Sequence, residues 1–277
     1  MIIWIASYPK SGNTLLRSII YSLFYSNDGI LDLSKLNVIP NYNQFRFFEG
    51  LINEKDRFNI KKVSEKWDTS QKRIISNNKI KLLKTHNSNC KINGHEFISN
   101  KSTAGVIYVV RDPRDVVLSA SNHFSLSNKK VCEILLDENA KLLPRENLEH
   151  EIVTILGSWV DNFKYWYNYK NCLLIRYEDM INNKSKVILE LINYFKMFIK
   201  TDISEEKINN TIKSTSFSNM QKQEVKGFFK ESVTVDKKKI QFFNKGKSKN
   251  WVGNLDKKIQ NKLEKAFYNE MKFLGYL

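Results

Sequence analysis

Residues 7–17 read Ser7-Tyr8-Pro9-Lys10-Ser11-Gly12-Asn13-Thr14-Leu15-Leu16-Arg17 and separate two segments of different periodicity. Ahead of them, Ile2-Ile3-Trp4-Ile5-Ala6 is an unbroken apolar run that suits a buried strand. Behind them, Leu15, Leu16, Ile19, Ile20, Leu23 and Phe24 recur on one helical face. The order is strand, tight loop, helix. A loop with Lys10, Ser11, Gly12 and Thr14 at a helix start brings a cation, hydroxyls, a residue without Cβ and free backbone N–H groups, the ingredients of a phosphate cradle. The ATP-type loop G-x-x-x-x-G-K-[ST] is not matched, because here the lysine precedes the glycine and Pro9 stands where a leading glycine would help. At this level the alternative is an ordinary strand-to-helix turn capped by Ser11 or Asn13.

The chain has 277 residues and no Pro/Gly/Ser-rich linker, internal repeat or low-complexity block, which predicts a single domain over residues 1–277. The first apolar run is too short for a signal peptide, and no later run approaches the roughly 20 apolar residues of a bilayer span. A soluble, cytoplasmic protein with no membrane insertion is expected. Cys90, Cys132 and Cys172 are odd in number and form no C-x-x-C pair, which argues against a disulfide framework or a zinc site. His86 and Cys90 lack a second ligand pair, so no metal is expected. The formal charge of +16 favours acidic partners. Most of it is lysine spread along the chain, with neither the arginine clusters nor the reading module of a nucleic-acid binder, so no nucleic-acid partner is expected.

Further strands are predicted at residues 80–84, at Gly105-Val106-Ile107-Tyr108-Val109-Val110 and at Cys172-Leu173-Leu174-Ile175. Asp112 is a good N-cap, Pro113 suits the first helical position, and Asp115 lies in the first turn, so a helix begins beside Arg111. Trp159, Phe163, Trp166 and Tyr167 form an aromatic stripe at helical spacing, a core pattern. A helix is predicted from about Ser185 to Phe195, and Asp202 and Glu205 stand in capping-box spacing ahead of a short one. The aromatic, polar stretch from Asn27 to Asn78 is too long for a plain loop and predicts short helices. Lys222 to Lys249 reads as a mobile surface segment and Leu255 to Phe273 as a final amphipathic helix.

Alternating strands and helices imply a mostly parallel sheet covered on both faces, an α/β three-layer fold. Ligands of such sheets bind beyond the carboxyl ends of the strands. That rule gathers the Lys10 loop, Lys84 to His86, Arg111 and Tyr177 on one rim.

The assembled pattern resembles the cytosolic type of sulfotransferase that uses 3′-phosphoadenosine 5′-phosphosulfate (PAPS), over nearly the whole chain and in order. Tyr8-Pro9-Lys10-Ser11-Gly12-Asn13-Thr14 looks like its 5′-phosphosulfate loop, and Lys84-Thr85-His86 like the segment carrying its catalytic base. Arg111 and Ser119 resemble its pair of 3′-phosphate ligands. Gly157-Ser158-Trp159 and Tyr177-Glu178-Asp179-Met180 are similar to family segments, with Tyr177 near adenine. Thr215-Ser216-Phe217 with Met220 looks like the adenine side, and Lys245-Gly246 followed by Trp251 resembles the loop closing on the 3′-phosphate. Leu15 stands where the family often has a tryptophan stacked on adenine, and Asn244 where it usually has an arginine.

The resemblance implies a P-loop-like fold and transfer of a sulfuryl group from PAPS to an acceptor oxygen or nitrogen, leaving adenosine 3′,5′-bisphosphate. His86 is then the expected general base, Lys10 balances charge on the leaving 5′-phosphate, and Lys84 steadies the transferring oxygens. Ser11 and Thr14 complete the cradle, and no metal is called for. A P-loop nucleotide kinase and a basic nucleic-acid-binding protein are the rival readings. The acceptor is a small molecule or a carbohydrate: Phe45, Phe47 and Phe48 suit an apolar or phenolic compound, and the abundant lysines an acidic glycan. Nothing identifies an oligomeric state.

Overall fold

The computed structural model describes residues 1–75, 79–144, 151–229, 231, 233–235, 238–244 and 246–277. Four strands, β1 (Ile2–Ser7), β2 (Lys81–Thr85), β3 (Thr103–Val110) and β4 (Cys172–Arg176), form one parallel sheet in the spatial order β2-β1-β3-β4. Ile3 lies opposite Leu82 on one side and Gly105 on the other, and Ile107 opposite Leu173. An inner parallel strand is covered on both faces and must be apolar on both, which is why β1 shows no alternation and all six of its residues are buried. The period of two still divides the sheet into two cores. Ile2, Trp4, Ala6, Val106, Tyr108 and Val110 pack on one side, and Ile3, Ile5, Ile107 and Val109 on the other.

Helices complete the three layers. Helix α1 (Asn13–Phe24) follows β1 and packs in the second core through Leu16, Ile19, Ile20 and Leu23. Helix α2 (Pro113–Phe124) and helix α3 (Trp159–Tyr167) cover the first core with Val116, Val117, Trp159, Phe163 and Trp166. Helices α4 (Tyr177–Asn182) and α5 (Lys184–Lys196) return to the second, followed by α6 (Glu205–Ser214) and α7 (Phe217–Val225). The start of α2 is as its sequence implies: Asp112 accepts from the Arg114 N–H at 2.9 Å, with Pro113 next to it. The same carboxylate accepts from the Arg114 guanidinium at 2.7 Å. Arg114 further donates to Glu264 at 2.5 Å and to the Tyr276 carbonyl at 2.6 Å, and lies 3.7 Å from the Trp251 ring centre, stitching the C-terminal segment to this corner.

Three local expectations change. Helix α6 is capped by Ser204, whose hydroxyl accepts from the Lys207 N–H at 3.2 Å, and not by Asp202; the serine directly precedes the helix in an extended conformation. The C-terminal helix is two helices, α8 (Lys257–Ala266) and α9 (Tyr268–Phe273), divided at Phe267, where φ −114° and ψ 21° leave the helical region. The break lets Leu263, Phe267, Met271 and Leu274 all enter the first core. The lysine-rich stretch after α7 is anchored, since Phe229 and Phe243 are buried in the second core and residues 233–235 pair antiparallel with 238–240.

The Asn27 to Asn78 region, of which 76–78 lie outside the described residues, holds short helices, as expected: 3₁₀ helices at Leu33–Val38, Phe45–Phe47 and Glu54–Phe58, and α-helices at Ile60–Ser64 and Trp67–Ile74. Phe48 is a core residue. Residues 40–42 run beside β2, where the Lys84 N–H donates to the Pro40 carbonyl and the Tyr42 N–H to the Lys84 carbonyl, at 2.9 and 2.8 Å.

Trp4 on β1 is fully buried, meets the Tyr42 ring edge-on and the Phe97 ring at a tilt, and donates from Nε1 to Thr103 Oγ1 at 3.0 Å. Trp4→Ala leaves a cavity and an orphaned hydroxyl on the central strand, so a loss of about 3–5 kcal/mol is expected in urea unfolding followed by circular dichroism. A loss below about 1 kcal/mol would show that the first core repacks freely around β1.

Candidate functional site

The loop after β1 is tied to its own strand. The Asn13 side-chain amide donates to the Ile5 carbonyl at 3.1 Å and to Ser7 Oγ at 3.2 Å, while the Ser11 N–H closes on the Tyr8 carbonyl at 3.3 Å. Lys10 and Gly12 take positive φ, 66° and 105°. A Cβ at Gly12 would stand 2.5 Å from Tyr177 Cδ2, so only glycine lets the loop pass that ring. Neither Ser11 nor Asn13 caps α1: its N-cap is Gly12, with no side-chain cap. The first N–H groups of the helix are therefore left for another acceptor. Ser11 Oγ and Asn13 Oδ1 are buried with no hydrogen-bond partner among the described residues. A buried hydroxyl and a bare helix start in one loop fit an anion with several acceptor oxygens better than an ordinary capped turn.

His86 stands just past β2, facing the end of β1. Its Nδ1–H donates to the Ser7 carbonyl at 2.8 Å, with Ser7 Oγ 3.2 Å away. That bond puts the proton on Nδ1 and leaves the lone pair on Nε2. Burial drives the imidazole down to about 3, with the Lys84 ammonium adding to the effect and the Ser7 bond opposing it, so the ring is neutral through the physiological range. Lys84 is itself lowered, first by burial; Glu231 raises it, Arg17 lowers it and Glu151 raises it. Lys10 is brought down to about 7 by burial and then by Lys84 and Arg111, against Glu231 and Glu224. The Lys10 ammonium rests 3.8 Å over the Phe242 ring.

Arg111 leaves β3 directly into the same rim. Its guanidinium donates to the Lys10 and Lys247 carbonyls, both at 3.3 Å, lies 4.1 Å from the Tyr177 ring centre and 4.0 Å from the Asp115 carboxylate. Its Nε is buried and has no partner among the described residues. Ser119 is half-buried on α2, and none of the hydrogen bonds among the described residues joins it to Arg111. Thr14 and Leu15 are buried in the first turn of α1, Leu15 within the second core.

Tyr177 opens α4 and packs between Arg111 and Gly12. The Thr215 hydroxyl is used inside the fold, donating to the Thr211 carbonyl at 2.7 Å and accepting from Lys184 at 3.2 Å. Phe217 starts α7, and Gly246, with φ 62°, sits so close that a Cβ there would reach 2.1 Å from the Phe217 ring. Asn244 is exposed and its carbonyl accepts from Gln221 at 3.2 Å. Lys245 lies outside the described residues.

Lys10, Gly12, Arg111 and Tyr177 therefore touch one another at the carboxyl edge of the sheet, with His86 held at the same edge through Ser7. Five participants escaped the sequence reading. Ser7 fixes the His86 tautomer. Glu224 accepts from the Phe242 and Phe243 N–H groups at 2.7 and 2.9 Å and so holds Phe242 over Lys10. Arg17 is 1% exposed and pairs with Glu231 at 2.5 Å. An arginine on a helix buried from Asn13 to Leu23 is a readable anomaly, whereas the partner 214 positions away carries no local signal.

Among the described residues, no group of three or more His, Cys, Asp or Glu is placed to hold a metal ion, and no helix is long and apolar enough to cross a membrane. The sulfotransferase domain profile matches residues 2–275. The rabbit (Oryctolagus cuniculus) amine sulfotransferase is 24% identical over 98% of this chain and 80% of its own, and sulfotransferase 1E1 of Bos taurus is 26% identical over 97% and 82%. Retinol dehydratase in complex with androsterone and inactive cofactor PAP superposes with a TM-score of 0.62 at 17% identity, covering 98% of this chain and 80% of that one. Mouse sulfotransferase SULT7A1 complexed with PAP gives 0.58 at 20%, covering 98% and 84%. These likenesses show a shared fold, and the profile match over almost the entire length shows that the chain belongs to the sulfotransferase domain family.

Proposed function

We propose that this protein transfers a sulfuryl group from PAPS to a hydroxyl or amine of a small-molecule or carbohydrate acceptor, with His86 as general base. The observation that carries this reading is the Nδ1–H bond from His86 to the Ser7 carbonyl, which leaves Nε2 as a neutral base beside the phosphate-type loop. PAP in the solved structures of two relatives supports the choice of donor, and the orphaned Ser11 Oγ, Asn13 Oδ1 and Arg111 Nε fit a ligand with two phosphates.

Lys10, Ser11, Gly12, Asn13 and Thr14 hold the 5′-phosphate end, where the bare N–H groups of α1 face the anion. Arg111 and Ser119 take the 3′-phosphate, with Asn244, Lys245 and Gly246 on the closing side. Tyr177, Leu15, Thr215 and Phe217 form the adenine side, Thr215 by shaping the wall, since its hydroxyl is already engaged. In the transfer step His86 Nε2 takes the acceptor's proton as the acceptor oxygen or nitrogen bonds to sulfur. The bond from sulfur to the 5′-phosphate oxygen breaks with its electron pair, and Lys10 is the cation that balances the charge left there. The Ser7 carbonyl accepts from the resulting imidazolium through Nδ1. Lys84 and Lys10 both hold the His86 basicity down, and an anionic donor bound between cations offsets that effect, so the base strengthens when the site is loaded. Near Lys84, Asn41, Asn43 and Gln44 carry buried amide oxygens with no hydrogen-bond partner among the described residues, which suits an acceptor bearing O–H or N–H groups.

His86→Ala is expected to lower turnover by about 10²-fold or more with nucleotide affinity nearly intact, measured by steady-state kinetics and calorimetry. Unchanged turnover would remove His86 from the base role. Adenosine 3′,5′-bisphosphate at about 100 times its Kd should add roughly 2.7 kcal/mol of stability, a rise of about 5–10 °C in a thermal-shift assay without magnesium. A larger shift from ATP, or one only from salt-sensitive DNA, points instead to a kinase or a nucleic-acid binder. Lys10, held at about 7, is a cation below that pH and loses its charge as pH rises through it. Nucleotide affinity should therefore fall between about pH 6 and 8.5, and above neutrality binding should take up a proton, visible as a dependence of calorimetric enthalpy on buffer ionisation. Affinity that is flat across this range would place Lys10 away from the anion.

A further inference from the structure

We infer that Glu231 is the counter-anion shared by the cations of the transfer site, and that Arg17 is the positioning residue that holds it among Lys10 and Lys84. The inference rests on the proposed sulfuryl-transfer function and assigns a role to two residues that the loop, strand and helix motifs leave unexplained.

Arg17 sits one turn beyond Thr14, on a helix that is buried at every position from Asn13 to Leu23. A guanidinium there, 1% exposed, is strongly destabilising unless it is paired, and the partner is Glu231 Oε1 at 2.5 Å. Glu231 does not hang from a free strand of chain. It follows two positions after Phe229, which is buried against Phe242 and Phe243 at ring separations of 4.8 and 5.1 Å, and those two residues are held by Glu224 on α7. The carboxylate, 31% exposed, is delivered to the sheet edge by this apolar anchor.

The charged groups acting on it come from two elements: Lys84 on β2, Arg17 on α1, and His86 just beyond β2. Burial alone would raise the Glu231 carboxyl, yet Lys84 and then Arg17 hold it at about 2. The relation is reciprocal. Glu231 is the foremost group supporting the charge of Lys84, against Arg17 and alongside Glu151, and it supports Lys10 against Lys84 and Arg111, ahead of Glu224. Cations crowded at a partly desolvated edge repel one another, and the two lysines shed their protons more readily if the Glu231 carboxylate is neutralised. Glu231 thus keeps both lysines usable at neutral pH, before and during transfer, without touching the reacting atoms.

The test compares wild type with Glu231→Gln, which retains size and an acceptor for Arg17, and with Glu231→Asp, which retains charge. Two readouts are taken on the full chain. The first is the pH profile of turnover with PAPS and a phenolic acceptor. The second needs no substrate: the pH dependence of acetic anhydride labelling at Lys10 and Lys84, quantified by peptide mass spectrometry. In Glu231→Gln both labelling midpoints should move down by about one pH unit, and turnover at pH 8.5 relative to pH 6 should fall about tenfold beyond any wild-type decline, with Glu231→Asp restoring most of each. Midpoints that stay in place in a folded Glu231→Gln protein overturn the inference and leave the Arg17 pair as a structural tie. If Glu231→Gln fails to fold, Arg17→Lys carries the same test: it loosens the placement of the carboxylate, so a smaller shift in the same direction is expected and no shift overturns the idea. A wild type that does not transfer from PAPS, yet whose midpoints move on substitution, defeats the function reading and keeps the charge role. Transfer without movement does the opposite.

Discussion

The hydrogen bond between His86 Nδ1 and the Ser7 carbonyl joins the ends of two strands, and its existence depends on their register. β1 and β2 run parallel with Ala6 opposite Thr85, so the next residue of each strand arrives at the same level of the sheet edge. A slip of one position would carry every β1 side chain to the opposite face and exchange the Trp4 core for the Ile5 core. The two-sided packing of the sheet thus guards the tautomer of one imidazole. Ser7 also receives the amide of Asn13, which sets where α1 begins, so strand pairing, loop shape and helix start are referred to a single residue.

Placing cations at such an edge has a desolvation cost, and the fold answers it with a different device for each. Lys10 faces an aromatic ring, Arg111 has two carbonyls and the face of Tyr177, and Arg17 has a carboxylate. Arg17 has the shorter ion pair, 2.5 Å to Glu231 against 4.0 Å from Arg111 to the Asp115 carboxylate. The neutral devices satisfy donors while leaving the net positive charge that an anionic ligand needs.

The strand-loop-helix at residues 2–24 was legible because apolar continuity and helical spacing are local properties, as was the start of α2, where Asp112 and Pro113 act on their immediate neighbours. The gathering of Lys10, His86, Arg111 and Tyr177 followed from the rule for parallel sheets. What stayed hidden was of another kind. Ser204 displaced Asp202 as a cap because both residue types are competent and only the backbone angle of the serine decides between them. Phe267 broke a helix that its periodicity would have continued, since two apolar turns had to face one core from different angles. Lysine abundance masked Phe229 and Phe243, whose neighbours in space lie on α7. Glu231 is one acidic residue among many until α1 comes to meet it.

The Arg114 junction also bears on the order in which the molecule can assemble. Its carboxylate and carbonyl partners lie 150 and 162 positions further along the chain. Tyr276 reaches back as well, donating to Glu178 at 3.0 Å, and Glu178 accepts from the Asp112 N–H at 3.1 Å, one residue from Arg111. Contacts of such separation close last, because the intervening chain must already be arranged. On a ribosome, the corner beside Arg111 therefore stays open until residues 264 and 276 have been made. Until those residues are in place, Arg114 and Glu178 lack these partners, and the corner next to Arg111 is incomplete.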